Sequence, residues 1–94
     1  MIIDYNGPLE FDFAAEMATL EGFRADPYAP KSAIRAQYLL LADMMKRRAC
    51  AAAACVAGAA LDEDEESEAQ WIDVVRASVA AYRAFLAKAA RLEA

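Results

Sequence analysis

The run SEAQWIDVVRASVAAYRAFLAKAARLE, residues 67–93, carries the longest helical repeat in this chain. Apolar residues fall at Ile72, Val75, Val79, Tyr82, Leu86 and Ala89, with gaps of three and four. That spacing sets them on one side of an α-helix. A second seam runs beside it through Trp71, Val75, Ser78, Tyr82, Phe85, Ala89 and Leu92. Two adjacent seams make a face wider than a coiled-coil stripe, and a face that wide touches two neighbours at once. Ser67 is placed to cap the helix start. Glu68 and the acids upstream suit the positive end of the helix dipole, and Lys88 and Arg91 suit the negative end.

The segment before it, residues 31–61, is the natural partner. Its first half is amphipathic, with Ile34, Tyr38, Leu41 and Met45 on one stripe and Leu40 and Met44 broadening it. From Ala49 onward it is nearly all alanine, with Cys50, Cys55, Val56 and Gly58. Alanine favours helix strongly but adds little burial. A soluble helix with so few polar residues must touch neighbours on more than one side or approach one closely through small residues. Lys46-Arg47-Arg48 followed by small apolar residues imitates a targeting segment, but it lies in mid-chain and is too short to span a bilayer. Met1 to Tyr5 lacks the basic start and apolar run of a secretory leader.

Residues 1–30 are less decided. Asn6-Gly7 between Ile2, Ile3, Tyr5 and the alternating Leu9, Phe11, Phe13 is a hairpin signal. Pro8 also suits the first position of a helix, and Leu9, Phe13, Met17 and Leu20 make a helical stripe. The reading adopted is an extended or turn-like start, a helix opening near Asp12, and a stop at Gly22. Asp26-Pro27 and Ala29-Pro30 then break helix, with Tyr28 between them expected as a core plug.

The 94 residues hold one domain, and 60 % hydrophobic content excludes a disordered chain. The expected fold is mainly α: two long antiparallel helices, at 31–61 and 67–93, joined by an acidic turn at 62–66. A short N-terminal helix packs across them in a three-helix-bundle-like arrangement. The net charge of −5 is unevenly laid out. Residues 1–30 hold one base against six acids, 31–61 five against one, and 62–94 four against eight. Lys46, Arg47 and Arg48 can face acidic neighbours in such an arrangement or simply lie solvated. Overall acidity argues against direct nucleic-acid binding.

Chemistry-bearing patterns are scarce. No histidine is present, which removes the commonest base and metal ligand. Cys50 and Cys55 lie five apart on one helix, about 8 Å at 1.5 Å per residue, too far for a disulfide. Unpaired thiols fit a reducing, cytoplasmic setting. Lys46 and Arg47 precede Cys50 by one turn, but a nucleophile also needs a base or an oxyanion site. Asp62, Glu63, Asp64, Glu65 and Glu66 lack the interleaved spacing of a calcium loop, and the helix that follows explains them without metal. No catalytic, cofactor or metal residue is assigned.

What remains is surplus apolar helix surface, which monomers rarely leave bare. The candidate interaction face is Trp71, Ile72, Val75, Val79, Tyr82, Phe85, Leu86 and Leu92. The expected function is non-catalytic: an adaptor, chaperone-like or assembly subunit with a protein partner or a second copy of itself, and no membrane. One alternative is an acidic nucleic-acid mimic that inhibits a DNA- or RNA-binding protein through 62–66. Another is an enzyme of unrecognised type.

Overall fold

Strong helix formers dominate from Leu9 onward, and the backbone of the described residues is mostly helix. The computed structural model describes residues 6–92, with side chains from residue 13 onward. Three helices form in order: α1 (Asn6–Ala25), α2 (Lys31–Leu61) and α3 (Glu65–Arg91). No strand occurs among the described residues. The mainly α, bundle-like architecture is the one the repeats imply.

The beginning of α1 corrects the expected start. Helix is already formed at Asn6, well before Asp12, so Asn6-Gly7 makes no hairpin turn. Pro8 sits in the first turn, where its missing N–H is one of the orphan donors anyway. The Ile2, Ile3 and Tyr5 part of that expectation lies outside the described residues. At the other end, Gly22 is not the stop. Its φ is not positive, so it supplies no left-handed cap, and the helix runs on to Ala25. The break comes at Asp26-Pro27, where the proline ring bars Asp26 from continuing the helix.

Tyr28 also departs from expectation: it is 91 % exposed and plugs nothing. Its backbone N–H donates to Asp26 Oδ1 at 2.9 Å, and Ala29 N–H donates to the Asp26 carbonyl at 3.2 Å. These bonds close a tight local turn with Pro27 and Tyr28 at its outer corner.

α2 is the middle element. In its first half the buried residues come in adjacent pairs, Gln37 and Tyr38, Leu41 and Ala42, Met44 and Met45, at alternating helical spacing. A stripe two residues wide lets one helix meet two neighbours, and both α1 and α3 pack on it. The core cluster is Leu20 from α1, Tyr38, Leu41, Met44 and Met45 from α2, and Ala89 from α3. Phe13, Met17, Ile34, Tyr82, Phe85 and Leu92 close around it. Gln37 pins α1 further: its Nε2 donates to the Glu16 carbonyl at 2.8 Å and to Glu16 Oε2 at 2.6 Å.

Length decides where this three-helix section stops. α1 has 20 residues against 31 in α2, roughly 30 Å against 46 Å at 1.5 Å per residue. α1 therefore flanks α2 only from its start to about its middle. Beyond Ala49 the only buried residue of α2 is Ala52, and the buried residue of α3 in that half is Ser78. Small residues thus fill the seam of a two-helix layer. The molecule measures 53 × 24 × 14 Å across its Cα atoms, thin along one axis.

Ser78 is 2 % exposed and its Oγ has no hydrogen-bond partner. A buried, unpaired hydroxyl is destabilising, and alanine is the better helix former. Ser78→Ala is expected to raise unfolding free energy by about 1 kcal/mol in urea denaturation. A loss of stability would mean that the hydroxyl is bonded in solution.

Candidate interaction surface

The acidic run is a structured junction rather than a uniform patch. Asp62 caps the C-terminus of α2. Glu63 N–H donates to the Ala60 carbonyl at 3.1 Å and Asp64 N–H to the Ala59 carbonyl at 2.9 Å, so the last carbonyls of α2 are satisfied. Glu63 takes a φ of 56°, the left-handed position that glycine usually fills. Asp64 then opens α3. Its Oδ1 accepts from Ser67 N–H at 3.1 Å and its Oδ2 from Ser67 Oγ at 2.8 Å. The N-cap is therefore Asp64, and Ser67, expected in that role, stands three residues on as the donor. The shorter turn follows from Asp64 serving both helices at once.

These bonds favour the charged carboxylate, first through the backbone N–H of Ser67 and then through its hydroxyl, and hold the Asp64 carboxyl below its ordinary 3.8. A depressed folded value contributes stability that is present above the unfolded pKa and is lost as pH falls through the folded one. Asp64→Ala is expected to lower the melting temperature at neutral pH, with the deficit shrinking as pH falls below about 4. Thermal melts by circular dichroism at several pH values check this. An unchanged deficit at low pH would contradict it.

All five acids of 62–66 are exposed. No group of three or more carboxylate, thiol or imidazole side chains among the described residues is placed to hold a metal ion. Within the basic trio of α2, the described ion pair is a local one. Arg47 pairs with Asp43 one turn back on its own helix, at 2.8 Å, with both side chains more than half exposed. Such a pair stabilises little.

The eight residues of the candidate face are all half-buried, and the fold divides them. Tyr82, Phe85 and Leu92 pack on the core cluster. The Phe85 ring lies 6.3 Å from Phe13, edge to face, and 6.3 Å from Tyr38. α1 thus takes up part of this seam from the Phe85 end. Trp71, Ile72, Val75 and Val79 lie in the half of the hairpin where the buried core has given out. Ile72 and Val75 line an open cleft of about 270 Å³ together with Ala53, Val56 and Arg76. Val79 and Tyr82 line another of about 270 Å³ with Lys46, Ala49, Cys50 and Arg83. Leu61, at the hairpin end, is 85 % exposed.

Both cysteines are free, Cys50 exposed and Cys55 half-buried. No described helix is long and apolar enough to cross a membrane. Compared with family models, with curated proteins and with solved structures, the chain matches none. The surface itself is therefore the guide to what the molecule does.

Proposed function

We propose that this chain is a non-catalytic interaction protein that works by burying apolar helix surface, and that the first occupant of that surface is a second copy of itself. The observation that carries this reading is where the core stops. Among the described residues, α1 covers one half of the hairpin, while past Ala52 and Ser78 apolar side chains such as Val56, Trp71, Ile72 and Val75 are only partly buried on a two-helix layer and Leu61 is exposed. Two such layers laid face to face complete a four-helix section, the arrangement in which helices of this kind bury both flanks. Around the Ile72–Val75 cleft the face carries both signs, Arg76 at the cleft and Asp73 exposed nearby on the same helix. A self-complementary two-fold contact needs such a mixture.

Sedimentation of the purified chain tests the proposal, because a dimer doubles the mass. A partner protein that takes the same face is the related outcome if the chain is alone in solution. Free thiols at Cys50 and Cys55 support a reducing compartment such as the cytoplasm. The mimic reading rests only on the exposed carboxylates of 62–66, and capping already accounts for the placement of Asp62 and Asp64. No grouping of side chains among the described residues favours the enzyme reading.

A further inference from the structure

The opposite end of the molecule carries a different feature. Arg24, from the last turn of α1, and Lys88 and Arg91, from the last turn of α3, line one open cleft of about 400 Å³ with Ile34, Tyr38 and Leu92. Each base, taken alone, is explained by the negative end of its own helix. That does not explain why two helix ends bring three cations to a single cleft that, among the described residues, no carboxylate lines. Among the described residues, none of the three has an ion-pair partner. Lys88 Nζ stands 5.8 Å from the centroid of the Tyr38 ring, which keeps the ammonium at the cleft wall. In a chain of net charge −5 this is a local reversal of sign. A concave site with one sign of charge draws in the opposite one.

We propose that this cleft binds a small organic anion, a phosphate or carboxylate group carried on an apolar body. A guanidinium can grip two oxygens of the head group, and the second guanidinium and the Lys88 ammonium add positive charge beside it. Ile34 and Leu92 supply apolar surface for the body, with Tyr38 at the cleft wall beneath the Lys88 ammonium. The proposal concerns surface remote from the Ile72–Val75 cleft and stands or falls independently of dimer formation.

The probes are phenyl phosphate, phenylacetate, inorganic phosphate and phenol, titrated into the amide-labelled full chain at low salt and followed by NMR. Phenyl phosphate or phenylacetate is expected to bind at about 1 mM or tighter, with shifts centred on Arg24, Ile34, Tyr38 and Lys88 to Leu92. The stronger of the two identifies the head group. Inorganic phosphate and phenol, each with half of the chemistry, bind more weakly. Arg24→Gln together with Arg91→Gln weakens binding at least about tenfold without altering the helical circular dichroism. The proposal is overturned if neither aromatic anion shifts these residues by about 10 mM, or if the shifts fall equally on Lys46 and Arg47 and survive the double substitution. It is also overturned if the same residues shift with protein concentration alone, since the cations then dock the acidic 62–66 turn of another copy.

Discussion

Leu41→Ala is expected to remove about 3 kcal/mol of unfolding free energy, the cost of a cavity where a buried leucine stood. Leu41 has no exposed surface and lies at the centre of the stripe where α2 meets both α1 and α3. Three backbones fixed around it cannot collapse freely into the space. Domains of this size are stable by only about 5–14 kcal/mol, so the substitution takes a large share of the total. Urea denaturation monitored by circular dichroism measures it, with Leu61→Ala as the control. Leu61 is 85 % exposed, and its truncation should cost less than about 0.5 kcal/mol. If the two variants lost similar amounts, the core would not lie where α2 is flanked on both sides.

The helices were legible because their apolar residues recur at intervals that only a helix can place on one side. The double seam on α3 and the alanine half of α2 each pointed to more than one neighbour, yet it is the first half of α2, around Tyr38 to Met45, that both α1 and α3 flank. Local signals that depend on competition between neighbours were harder to read. Asn6-Gly7 and Pro8 each argued for a different start, and the helical stripe from Leu9 onward was the stronger pull. Gly22 looked like a stop, yet nothing forced the chain into the left-handed region there, and Asp26-Pro27 did the breaking. Ser67 and Asp64 can both cap a helix. Asp64 took the role because its N–H already donates the closing bond to the Ala59 carbonyl of α2, a coincidence of two helix ends that no single-helix rule contains.

The same limit applies to the surface. All eight residues of the candidate face were named from spacing alone, but how far α1 reaches was not legible, since its start was misplaced. That reach decides which end of the seam is used internally: Phe85 meets Phe13 and Tyr38, while Ile72 and Val75 line an open cleft. The three cations Arg24, Lys88 and Arg91 had been readable only as separate helix-end charges. Arg24 is more than sixty positions from Lys88 in the chain, and only the packing of α1 and α3 about α2 sets them together.

Val75→Glu is expected to weaken self-association at least about 100-fold, because a carboxylate placed in an apolar contact must be desolvated without a partner. Val75 is half-buried and lines the open cleft, so in the separated chain the new carboxylate can turn to water and the fold survives. Retained helical circular dichroism together with lost association is the expected pair of results. A variant that associates like the parent chain would place the contact elsewhere.

Sedimentation equilibrium of the unmodified chain, at concentrations up to about 100 μM and in salt up to about 1 M, measures the proposed association itself. The expected result is a species of twice the 10.2 kDa chain mass that persists at high salt, as an apolar contact should. A single species at the mass of one chain throughout that range would contradict it.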